Sequence, residues 1–254
     1  FGILGAWLIP GILILIPIQA LIERRLLPQS QPSSADGVPS KVVARYVAGN
    51  YLASLFNLAS TLFLPLLVVS LAGTAAGPYF YLPWVIANAL RLITTGMSVS
   101  LTVEGATDQQ QVGVYGRAAL RHTARLLVPI VALLIGGASL VLQLFGRNYA
   151  AEGVNVLRLL VLATLPTSII VLYLGLARVH NHIWRVVFVQ AVWAALGLGL
   201  SYIGLKWYGI VGVGWASLVS ATLVAGGLMV TELRAVLRPV ALTSAATPVE
   251  GRGE

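Results

Sequence analysis

The chain has 254 residues, 58% of them hydrophobic and only 9% charged, with a mean hydropathy of +0.89 and no cysteine. Soluble domains carry about 25% charged residues, so this chain has too little polar surface to cover a water-exposed globule. The lack of cysteine excludes a disulfide framework, a thiolate metal site and a cysteine nucleophile.

Seven apolar runs occur in order: 2–22, 46–72, 78–103, 122–145, 154–177, 186–205 and 209–230. Each is long enough to cross a hydrocarbon core of ~30 Å as a helix rising ~1.5 Å per residue. The runs are continuous and do not alternate apolar with polar, which favours helices over barrel strands. Pro10, Pro17, Pro65, Pro83, Pro129 and Pro166 lie inside them, and a membrane bundle tolerates such kinks because neighbours satisfy the freed carbonyls. The expectation is an all-α, polytopic membrane bundle of about seven transmembrane helices.

The first residue is Phe1, not Met, and it leads straight into an apolar run. We therefore expect 1–22 to be a transmembrane helix belonging to a preceding, missing part. Residues 23–45 read as a linker, with Arg24, Arg25, Lys41 and Arg45 around a Pro-, Ser- and Gln-rich centre. Residues 46–238 form a six-helix lobe. The stretch 239–254, a mixture of Ala, Thr, Pro, Gly and charge, reads as a disordered tail.

The net charge of +8 is distributed by connection. Twelve of the 16 Lys and Arg fall on one side, in the linker, around Arg117, Arg121 and Arg125, at Arg178 and Arg185, and in the tail. Only Arg147 and Lys206 fall on the other, while Arg91 and Arg158 lie within spans. Basic residues stay on the cytoplasmic side, which sets the tail in the cytoplasm of a cytoplasmic (inner) membrane protein. The spread bases touch membrane lipids with anionic headgroups. They lack the clustered footprint that nucleic acid requires.

Two runs carry polar stripes. Asn50, Ser54, Asn57 and Thr61 recur at helical spacing in one, and Trp84, Asn88, Arg91, Thr95, Ser98 and Thr102 in the next. Each set lines one face, and a polar face in a bilayer turns to other helices or to a water-filled cavity. Arg91 sits about halfway along its span, where an arginine costs at least ~2.5–3.5 kcal/mol. No carboxylate of this chain lies at similar depth. Arg91 therefore faces an aqueous cavity, pairs with a carboxylate outside this chain, meets an anionic ligand, or serves as a buried hydrogen-bonding group. The candidate substrate-binding residues are Arg91, Asn88, Trp84, Thr95, Asn57 and Asn50.

The other polar residues have plainer readings. His122, His180 and His182 sit at helix ends without enough neighbouring ligands for a metal. Glu104 suits a salt bridge with Arg121 or Arg125, and Arg158 is near enough to its helix end to reach the interface. Gly209, Gly212 and Gly214 suit close helix packing. With no Ser–His–Asp grouping and no metal-ligand spacing, we expect no enzyme, no metal and no cofactor.

Three segments carry a family resemblance. Gly77-Pro-Tyr-Phe-Tyr-Leu-Pro-Trp-Val-Ile-Ala-Asn, running on to Ser98-Val-Ser-Leu-Thr-Val-Glu-Gly-Ala, resembles the eighth membrane helix of polysaccharide and O-antigen lipid flippases. These belong to the multidrug/oligosaccharidyl-lipid/polysaccharide exporter superfamily. Leu144-Phe-Gly-Arg-Asn-Tyr-Ala resembles the loop after their ninth helix, and Tyr208-Gly-Ile-Val-Gly-Val-Gly-Trp-Ala the start of their twelfth. The resemblance implies two similar lobes around a central cavity, this chain holding the second lobe and the helix before it. It further implies alternating access that moves a lipid-linked oligosaccharide, with Arg91 on the pyrophosphate and the missing N-terminal lobe as partner. A multidrug exporter of the same superfamily is a second reading, and it predicts an acidic cavity. A non-transporting scaffold of cell-envelope synthesis is a third, and it predicts a dry, packed interior.

Overall fold

The computed structural model describes residues 40–107 and 112–233, together with Pro17, and contains no strand among them. The chain divides into the units 1–45 and 46–254. Apart from Pro17, the expected span 1–22 lies outside the described residues, as do the linker centre and the tail 239–254.

Five helices succeed one another: α1 (Ser40–Ala72), α2 (Gly77–Thr107), α3 (Val112–Gln143), α4 (Arg147–Val179) and α5 (Ile183–Leu228), the last ending in a π-helical turn, Met229–Leu233. All belong to the second unit except the first residues of α1, Ser40 to Arg45. All five are long and apolar enough to cross a membrane, and the chain is a multi-pass membrane protein. The number differs from the expected seven for two reasons. One run lies outside the described residues, and two others, 186–205 and 209–230, are merged in α5.

α5 has 46 residues, which as a straight rod would be ~69 Å long, over twice the ~30 Å core. It does not run straight. Gly209 has φ 58 and ψ −146, outside the helical region. Gly204 and Gly212 lie so close that a Cβ on either would overlap the backbone of the other, and Gly197 faces Ser220. Residues eight apart along one helix are ~12 Å distant, so this contact requires the chain to reverse. α5 is a helical hairpin whose arms meet glycine to glycine.

α4 is the central helix. About two-thirds (67%) of its spanning window is buried, against 33% or less in every other helix. α2 runs parallel to it. The Ser98 hydroxyl donates to the Val171 carbonyl at 3.0 Å, and a Cβ on Gly153 would lie 3.3 Å from the Tyr79 carbonyl. The two contacts have nearly the same offset in residue number, as only parallel neighbours do. Pro83 lacks the N–H that would serve the Tyr79 carbonyl, and the bare backbone of Gly153 packs against that oxygen. Within α4, Pro166 is flanked by two hydroxyls that bond back to their own helix, Thr164 to Val161 (2.6 Å) and Ser168 to Leu165 (2.7 Å). Such side chains re-satisfy a proline-disturbed helix.

α3 turns its outer side to lipid, with Leu133 75% and Leu140 68% exposed. Arg158 of α4 does not depend on the interface alone: its Nε donates to the Ile135 carbonyl of α3 at 3.1 Å. His180 and His182 stack with ring centres 6.2 Å apart at the α4–α5 turn, and His180 Nδ1 lies 2.9 Å from the Leu176 carbonyl.

The α2–α4 seam generates a stability prediction. A Cβ on Gly175 would overlap the Ser98 hydroxyl, whereas Gly137 of α3 has open space around it. Gly175→Val should destabilise the protein by about 1–3 kcal/mol through overpacking, and Gly137→Ala should not destabilise it. Thermal unfolding in detergent checks both; equal melting temperatures for the two variants would contradict the seam.

A polar cavity around Arg91

α2 positions the central side chain. Arg91 lies 14 residues into the helix, ~21 Å along its axis, near the middle of its span. Trp84, Asn88 and Thr95 flank it on the same face. Asn88 Nδ2 donates to the Trp84 carbonyl at 2.9 Å and the Thr95 hydroxyl to the Arg91 carbonyl at 3.0 Å. Tyr81 stacks on Trp84 at 5.5 Å. The neighbours of Arg91 thus bond within their own helix, while its guanidinium forms no hydrogen bond or ion pair with any described residue.

Two connected spaces open on this face. The inner one is a cavity of about 130 Å³ that reaches α4 at Thr164 and Thr167, one arm of α5 at Gln190 and Trp193, and the other arm at Ser217 and Ser220. The outer one, about 590 Å³, extends along α2 past Thr95 and along α4 to Arg178. Asn57 and Thr61 of α1, with Trp84, Asn88, Arg91, Gln190 and Trp193, belong to both. Among the described residues neither wall carries a carboxylate. The inner wall holds one cation, Arg91, and the outer wall two, Arg91 and Arg178.

Five of the six candidate residues come together here: Arg91, Asn88, Trp84, Thr95 and Asn57. Asn50 does not. It lies two turns away, where α1 closes on α5. There the adjacent Gly49 meets the Ile183 side chain, from which a Cβ on the glycine would lie 2.8 Å. The α2 stripe also divides. Ser98 and Thr102 leave the cavity, Ser98 bonding to α4 and Thr102 to the Ser98 carbonyl at 2.8 Å. They lie further along the same face, where α2 packs directly on α4.

The sequence reading missed the contribution of α4 and α5. Gln190 is 7% exposed, yet it is the single amide in its run, and Trp193 and Gly197 succeed it at helical spacing. That pattern was the available signal. Arg178, assigned from sequence to a helix end, lines the outer cavity.

No protein-family model matches the chain, and no curated protein does. Its fold matches a solved structure described as the outward-facing conformation of a multidrug resistance MATE family transporter of the MOP superfamily. The TM-score is 0.68, with 15% sequence identity, covering 81% of this chain and 48% of that one. The chain thus spans about half the length of that transporter, and at this identity the likeness is one of fold.

The naturally cysteine-free chain makes water access testable. A membrane-impermeant thiol reagent should label Asn57→Cys and Asn88→Cys, and leave Leu133→Cys on the lipid face unmodified. If the two cavity positions are as inert as Leu133→Cys, the cavity does not open to water.

Proposed function

We propose that this chain is one lobe of a transporter that flips a lipid-linked oligosaccharide across the cytoplasmic membrane by alternating access, with its basic end in the cytoplasm. The observation that carries this reading is Arg91: a guanidinium at mid-span, without a partner among the described residues, on a polar cavity whose described walls hold no carboxylate. A guanidinium fork matches the oxygens of phosphate. Away from water its attraction for an anion is far stronger than at a surface. Beside it lie the side chains a glycan needs. Trp84 and Trp193 offer apolar ring faces, and Asn57, Asn88 and Gln190 offer amide donors and acceptors.

The likeness in fold supports transport and suits the multidrug alternative equally well. The chemistry of the wall favours the flippase, because an organic cation would meet arginine and no acid. The cavity also speaks against a dry scaffold.

The test is substitution of Arg91 in the complete transporter. Arg91→Gln should abolish export of surface polysaccharide and leave the lipid-linked precursor in the inner leaflet, at normal protein level. Arg91→Lys should retain part of the activity, keeping the charge without the bidentate fork. Normal export by both variants would remove the anion from this reading. Loss of drug resistance with polysaccharide intact, in cells lacking the protein, would favour the multidrug reading.

A further inference from the structure

The outer cavity holds a second arginine, and its position relative to the first is fixed by the α2–α4 register. Ser98 bonds to Val171 across 73 residue numbers, and Tyr79 meets Gly153 across 74. The same offset brings Arg91 level with Thr164 and Leu165 of α4. Thr164 indeed shares the inner cavity with Arg91. Arg178 lies 13 or 14 residues further along α4, which is ~20 Å toward the basic end of the bundle. A phosphate held by two guanidiniums would need both within ~2.7–2.9 Å of its oxygens. With backbones ~20 Å apart along the bundle axis, the two arginines lie at different depths of one cavity. They can hold one phosphate in turn.

We propose that Arg178 is a first anion-binding position at the mouth of the cavity, from which a phosphate-bearing headgroup passes to Arg91 at mid-span. This rests on the reading of Arg91 as the anion-binding residue of the transport cavity. The wall between the two positions suits the passage. Thr95 and Gln190 line it with uncharged polar groups, and Leu92, Val171 and Leu174 supply apolar surface beside them. No described carboxylate lines it to repel the headgroup. Arg178 is partly buried and lines the outer cavity. By the same register Arg178 lies level with Glu104 and Gly105 of α2.

The two arginines then make different contributions to rate. A residue that captures substrate at the mouth sets the concentration needed for half-saturation. A residue engaged at mid-span, where the lobes exchange access, sets the turnover. Arg178→Gln in the complete transporter, reconstituted in liposomes, should raise the half-saturating concentration of lipid-linked oligosaccharide about tenfold, the equivalent of one charge-assisted hydrogen bond. Its plateau rate should stay within about twofold of wild type on the same reasoning. Arg178→Lys should recover only part of the affinity, since it keeps the charge without the bidentate fork. Arg91→Gln should instead lower the plateau. Farnesyl diphosphate serves as a soluble probe of the same headgroup chemistry, and its binding in detergent should weaken in Arg178→Gln by a similar factor.

An unchanged half-saturation in Arg178→Gln, with wild-type transport intact, overturns this proposal alone. So does a fall in plateau rate and melting temperature together with no loss of farnesyl diphosphate binding, since that pattern is structural. If Arg178→Gln does not reach the membrane, Arg178→Lys decides: a half-saturation equal to wild type, with farnesyl diphosphate binding also equal, overturns the proposal. Wild-type protein that moves no lipid-linked sugar overturns the reading of Arg91, and this proposal with it.

Discussion

Between helices in a bilayer there is little hydrophobic driving force, because lipid tails are as apolar as leucine. Association depends on close backbone approach and on the few hydrogen bonds that reach across. The α2–α4 seam has both: Gly153 against the Tyr79 carbonyl, Gly175 against the Ser98 hydroxyl, and the Ser98 bond to Val171. With α2 held along α4 at this register, the orientation of α2 about its own axis is set. Thr94 and Ser98 are buried. Trp84, Asn88, Arg91 and Thr95 are directed into the space bounded by α1 and the α5 hairpin. The cavity is a consequence of the seam.

The electrostatics result from that geometry. A guanidinium held away from bulk water interacts more strongly with whatever charge approaches it. In this lobe the described cavity wall provides cations and neutral dipoles. The neutral groups mostly bond to their own helices: Thr61 to the Asn57 carbonyl, Thr95 to that of Arg91, Asn88 to that of Trp84. They are polar enough to keep water near Arg91 and not charged enough to neutralise it. Among the described residues the guanidinium is left without a partner.

Much of this was legible in the sequence, and the parts that were not have definite causes. The apolar runs revealed the helices because length and continuity are one-dimensional properties. The stripes revealed which faces of α1 and α2 are polar because 3.6-residue periodicity survives in the residue order. Asn50 continues the α1 stripe but does not line the cavity with Asn57 and Thr61, because a stripe does not say how far along a helix a space extends. Ser98 leaves the cavity because α4 comes into direct contact at that depth, which the residue order does not show. Gln190 and Trp193 passed unnoticed because they are sparse in an otherwise apolar run, and their meeting with Arg91 depends on long-range packing. The α5 reversal was visible as two runs. That a single glycine joins them, with Gly204 against Gly212, required the backbone.

That reversal has a mechanical meaning. An ordinary pair of membrane helices is joined by a loop with slack, so each can tilt or slide past the other. The arms of α5 have Gly209 and no slack, and their backbones touch near the bend. They can splay at the far end, like a clothes peg about its spring, but cannot shear near the hinge. The far ends pack with α1 and α4, through Ala53, Val186, Val187, Ala221 and Ala225 around Ile170 and Leu174. The inner cavity, with Gln190 on one arm and Ser217 and Ser220 on the other, lies between the hinge and that packed end. The cavity is thus bounded by two arms joined at Gly209 on one side and held by packing on α4 at the other.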